Sequence, residues 1–169
     1  MAIGGFKNLF QRLRAEASSG RVGRPVLVRG SLELSADHGR LTVDLARGLA
    51  EAFRWLGDEP VEVYAAGSAS AGQVTALARG RSGTTALLST ALLRRGTPRV
   101  RLLVLGSRGS LRHDGDLEAH EPGTAADAAD DDERLGGREK AIFDAVEESL
   151  SSGAPRTPRP AEEGEKKKR

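Results

Sequence analysis

Apolar side chains recur every three or four positions through residues 39–63, at Leu41, Leu45, Leu49, Ala52, Phe53 and Leu56. That spacing puts them on one face of a helix. Gly57 stands where the helix would stop, in the left-handed position that glycine tolerates best. Pro60 keeps the helix from resuming. Val61, Glu62, Val63 and Tyr64 then alternate as a strand does. Helix, glycine stop and strand form one unit, and the rest of the domain is expected to pack around it.

Before this unit, Phe6, Leu9, Phe10 and Leu13 fall at helical spacing, with Lys7, Arg12 and Arg14 on the other side. The pattern predicts a helix that docks on a sheet; a membrane-surface helix is the sharper alternative. A turn at residues 19–23 leads into a strand over residues 25–34. On it Val26, Val28, Leu32 and Leu34 share one face, and Leu27, Arg29, Ser31 and Glu33 share the other.

After residue 64 the period is that of strands. A small-residue turn at 67–72 precedes a run in which Val74, Ala76 and Ala78 alternate with Gln73, Thr75, Leu77 and Arg79. Gly80-Arg81-Ser82-Gly83 reads as a hairpin turn, and residues 84–92 return. Residues 99–105 are the most apolar run and suit a central strand buried on both faces. A turn at 106–109 leads to a short last strand over 110–113.

The composition shifts at Asp114. Residues 114–135 are acidic and Ala-rich without an apolar face, so a flexible, solvated loop is expected. The ligand spacing of a calcium loop is missing there. A helical pattern returns over 136–150 at Ala141, Ile142, Ala145, Val146 and Leu150, and residues 151–169 read as a disordered charged tail. Residues 1–113 are then the domain core.

The bulk numbers exclude several classes. A chain of 169 residues fits one domain with flexible ends. Without cysteine there are no disulfides and no thiolate metal sites. A net charge of +2 with 4% aromatic residues argues against nucleic acid as a partner. No apolar run approaches the roughly 20 residues a membrane span needs, and the N-terminus lacks a signal-peptide core. A cytoplasmic protein with no membrane partner is the default. The Arg-, Ala- and Gly-rich composition suggests a bacterial genome.

The helix-and-strand unit carries a resemblance. Asp44, then Trp55-Leu56-Gly57 and Pro60, resemble the central helix of the C-terminal domain of the Gfo/Idh/MocA oxidoreductase family. That family's motif there runs roughly Gly-Gly-small-Leu-x-Asp-x-Gly-x-His and ends Trp-Leu-x-Gly-x-Pro. The turn at 19–23, the hairpin around 103–111 and the helix running into Gly153-Ala154-Pro155 are similar to the family in the same order. The likeness covers about residues 8–113 and, more loosely, extends to 155. It implies an α+β fold: a mostly antiparallel open sheet of about six strands with helices packed on one face. In the family the Asp and His belong to the substrate site, so Asp44 is the only inherited catalytic candidate. Gly48 stands where the family has its His, and a helix-dipole role for Asp44 is an equal alternative. Catalysis by this chain alone is not expected.

The family's cofactor half is a Rossmann domain holding NAD(P) on a glycine-rich turn. No G-x-G-x-x-G occurs in this sequence, and the Lys of the family's Glu-Lys-Pro motif has no counterpart. No cofactor is expected on this chain by itself. Nucleophile elbows, phosphate loops and zinc motifs are missing too, and His38, His113 and His120 fit no metal spacing. The expectation is a stand-alone accessory or oligomerisation subunit. The alternative is the substrate half of a split NAD(P)-dependent oxidoreductase whose Rossmann half is another chain. The sheet's second face, with Leu77, Leu87 and Ala91, is the candidate interface for a homodimer or for a Rossmann-containing partner.

Overall fold

The computed structural model of the chain describes residues 13–16, 20–35, 40–116 and 135–159. Six strands and two long helices follow in the order β1 (Pro25–Ser35), α1 (Leu41–Leu56), β2 (Pro60–Ser68), β3 (Gln73–Gly80), β4 (Thr85–Leu93), β5 (Arg99–Gly106), β6 (Ser110–Asp116) and α2 (Gly137–Ser152). The strands form one sheet in the order β2-β3-β4-β1-β5-β6. Every pairing is antiparallel except that of β1 with β4. Both helices pack on the same side of the sheet, α1 against β4, β3 and β1, and α2 against α1 and β2. The α+β architecture with a mostly antiparallel open sheet is therefore the observed one.

Strict alternation builds the core between helices and sheet. Val28, Leu32, Val63, Val74, Ala76, Ala86, Leu88, Val100 and Val104 point inward and are buried. Leu45, Leu49 and Phe53 of α1 meet them, fully buried. Ile142, Ala145 and Val146 of α2 complete the cluster, and Leu13 joins it from the N-terminal segment. Small inward residues on β3 and β4 let α1 approach the sheet closely. The helix ends as the glycine predicts: Gly57 takes φ 61°, and its N–H donates to Phe53 O.

The outer edge of β2 is protected by α2 and the chain behind it. Ala65 N–H donates to the buried Ser149 hydroxyl at 2.9 Å. Val63 N–H donates to Arg156 O at 2.7 Å, and Arg156 N–H donates back to Val63 O at 2.8 Å. Donors that would otherwise invite another strand are thus occupied.

Several boundaries differ from the sequence reading. Disorder from Ser151 does not hold for the described part of the tail: α2 runs to Ser152, and Arg156 bridges to β2. The last strand continues to Asp116, so residues 114–116 belong to the sheet rather than to the acidic loop. Residues 117–134 and 160–169 lie outside the described residues, as do residues 1–12 of the expected N-terminal helix. Val26 is 46% exposed, away from Val28 and Leu32, because the pairing with β5 shifts register between Pro25 and Leu27. The apolar strand β5 is buried on one face only: Leu105 remains 38% exposed, because no described helix covers the other side.

Candidate functional site

Asp44 lies in the first turn of α1 and is only 4% exposed. Its N–H donates to Arg40 O at 3.0 Å, closing the first helical turn. A carboxylate there complements the helix dipole. Gly48 follows one turn later on the same face and is buried as well. It supplies no titratable side chain at that position.

The interface candidates lie on the opposite side of the sheet. Leu77 and Leu87 are direct cross-strand partners, and Tyr64 pairs with Leu77 on the far side. Leu87 also stands beside Arg29 of β1, which faces Leu103 of β5. Tyr64, Leu77 and Leu87 thus form an apolar row on the uncovered face, and Arg29 separates it from Leu103. Tyr64 is 42% and Leu77 39% exposed, while Leu87 and Ala91 are half-buried. Ala91 lies opposite Gln73 and Glu33, nearer the polar end of the face. The structure therefore brings Leu77 and Leu87 together, and sets both apart from Asp44 by the thickness of the sheet.

Next to the apolar row lies an open concavity of about 620 Å³. Arg29, Arg101 and Arg112 line it, together with Ser31, Thr75 and Ser89. No carboxylate is among its lining residues. The three arginines come from β1, β5 and β6 and were not singled out in the sequence, because only strand register reveals their convergence: Leu103 pairs with Arg29 on one side and with Arg112 on the other. Arg101 is held by Glu33 at 3.1 Å and lies 3.7 Å from Asp114.

A second group that the sequence reading passed over is Asp58, just after α1. Its carboxylate accepts the hydroxyls of Ser82 and Thr84, each at 2.6 Å, and the N–H groups of Ser82 and Glu59. Partial burial opposes its charge, and these hydrogen bonds outweigh it, so its carboxyl is held well below the usual carboxylate range. A Cβ on Gly80 would collide with Asp58 Oδ2 and Thr84 Oγ1, so the approach requires glycine. This is a structural tie between α1 and the β3–β4 turn.

Neither described helix N-terminus suits a dinucleotide. Asp44 lies in the first turn of α1 and Glu139 in that of α2, and the Glu139 carboxylate accepts the Gly136 N–H at 3.0 Å. Negative charge thus stands where a pyrophosphate would bind. Among the described residues no group of three or more His, Asp or Glu is placed to hold a metal ion, and no helix is long and apolar enough to cross a membrane. His113 lies on β6, half-buried; His38 and His120 lie outside the described residues.

No protein-family model matches the sequence. No curated protein matches it either. Solved structures do match the fold. Myo-inositol 2-dehydrogenase from Lactobacillus plantarum superposes with a TM-score of 0.67 at 15% identity, over 92% of this chain and 64% of its own. Scyllo-inositol dehydrogenase from Lactobacillus casei, with bound NAD(H) and scyllo-inositol, gives 0.65 at 14% identity, over 91% of this chain and 63% of its own. Myo-inositol dehydrogenase from Corynebacterium glutamicum gives 0.59 at 17% identity, over 90% and 62%. The chain thus spans less than two thirds of the length of these enzymes. At these identities the likeness is one of fold: this chain shares, over most of its length, the fold of part of the inositol dehydrogenases, the Gfo/Idh/MocA enzymes that the sequence resembles.

Proposed function

We propose that this chain acts as a stand-alone accessory or oligomerisation subunit of the Gfo/Idh/MocA C-terminal type, without catalysis of its own, in the cytoplasm of a bacterium. The observation that carries the reading is the apolar row Tyr64–Leu77–Leu87, with Leu103 beyond Arg29, on a sheet face that no described helix covers. Helices bury one side of the sheet and leave leucines on the other, which favours association with a second copy or with a Rossmann-bearing oxidoreductase. Gly48 in place of the family's His, together with the acidic first turns of both helices, supports the absence of catalysis.

A second reading rests on Asp44. Its burial on α1, where the family has its substrate-site Asp, fits a substrate half that works with a separate cofactor-bearing chain. Sedimentation of the purified chain at micromolar concentration tests the first reading: a dimer, or a stable complex with one oxidoreductase chain, is expected. A monomer with no recoverable partner refutes it. Dehydrogenase activity on inositols or sugars, appearing only when a Rossmann-bearing chain is added and lost in Asp44→Ala, would favour the second.

A further inference from the structure

We propose that the concavity beside Leu103 binds a small, multiply charged oxyanion, an organic phosphate or a polycarboxylate. Its charged and hydroxyl-bearing lining residues are hydrogen-bond donors. Arg29, Arg101 and Arg112 contribute three guanidiniums, and no carboxylate shares the surface. The acids nearby are taken up by Arg101 and Arg99: Glu33 and Asp114 pair with Arg101, and Asp114 and Asp116 lie within 3.6 Å of Arg99. Arg29 and Arg112 flank Leu103 in register and make no ion pair within 4 Å among the described residues, which leaves their guanidiniums open to an anion. Guanidiniums present planar forks that match phosphate and carboxylate oxygens two at a time.

The hydroxyls add direction. Thr75 donates its proton to Ser89 at 2.9 Å, which leaves the Ser89 proton to donate elsewhere. Ser31 stands beside Ser89 in register, and both line the concavity. Leu87 and Leu103 supply an apolar floor for the carbon skeleton of an organic anion, and about 620 Å³ suits a small ligand. The concavity near Asp58 differs: Arg14, Arg54, Arg81 and Arg138 line it, but Asp58 and Glu59 share that lining, and Glu139 and Glu59 pair with Arg54 and Arg138. The site uses this chain's own residues only, but Leu87 and Leu103 also belong to the face read as an interface, so the concavity is open to an anion where no partner covers that face.

The test is a titration of the full chain with pyrophosphate and, separately, with citrate, at constant ionic strength. Arginine side-chain N–H resonances are followed by NMR. Saturable shifts at Arg29 and Arg112 are expected with at least one probe, and which probe binds tells phosphate from carboxylate. Arg29→Gln and Arg112→Gln should each weaken binding about tenfold or more. Arg79→Gln, on the same face outside the concavity, should leave it unchanged. All three positions are exposed, and circular dichroism checks that each variant is folded. A shift that does not saturate, that sodium chloride reproduces, or that Arg79→Gln weakens as much as Arg29→Gln overturns the proposal. Light scattering on the same samples reads association independently, so failure of one idea is distinguishable from failure of the other.

Discussion

The carboxylate of Asp58 accepts the Thr84 hydroxyl at 2.6 Å, and this pair fastens the end of α1 to the turn between β3 and β4. Ser82 donates to the same carboxylate through its hydroxyl and its N–H. Arg138 of α2 donates to Asp58 O at 2.7 Å, so the first turn of the second helix is gathered at the same point. One residue after the glycine stop therefore joins three elements that are distant in the chain.

These donors favour the charged form of Asp58, so its folded-state carboxyl titrates below the unfolded value of about 3.9. The stabilisation is fully present above that value and is lost as pH falls toward the lower folded-state value. Asp58→Ala is expected to cost roughly 2–3 kcal/mol at neutral pH. The gap between the unmodified chain and this variant should narrow below about pH 4. Urea unfolding measured from pH 7 down to pH 3 checks it; a gap that stays constant across that range contradicts the assignment.

Ser149 is fully buried and accepts Ala65 N–H. Replacing it by Ala leaves a strand donor without its acceptor, at a cost of about 1–3 kcal/mol. The Ala65 amide should then exchange with solvent faster than in the unmodified chain, while Ala76 and Ala86 deeper in the sheet change little. Amide exchange followed by NMR reads both, and equal acceleration at all three positions would mean that the hydroxyl supports the whole fold rather than the β2 edge.

Titration with NAD(H) or NADP(H) is expected to give no saturable binding to this chain alone. The motivating features are the missing glycine fingerprint and the carboxylates in the first turns of α1 and α2. Calorimetry showing micromolar affinity would overturn this.

Much of the fold was legible because its signals are local. The 3.6-residue period of α1, Gly57 as its stop and the alternation of Val74, Ala76 and Ala78 against Leu77 each need only a few neighbouring residues. What escaped depends on partners far along the chain. The exposure of Val26 follows from a register shift against β5. The half-bare strand β5 follows from where the helices lie, which its apolar run does not reveal. Pairing of Arg156 with Val63 ordered part of a tail whose composition reads as disordered. The arginine-lined concavity needs β1, β5 and β6 side by side, an arrangement that no window of the sequence displays.

The account's central claim is that the uncovered sheet face is an interface. Leu87 is half-buried between Leu77 and Arg29 on that face, and its neighbours Ala86 and Leu88 supply the helix-side core. Leu87→Glu puts a charge on the face and leaves the core side chains in place. The measurement is light scattering at micromolar concentration on the unmodified chain and on Leu87→Glu, with circular dichroism alongside. An associated unmodified chain and a folded, monomeric variant are predicted. A monomer in both, with no partner captured from the cell by the unmodified chain, would contradict the claim.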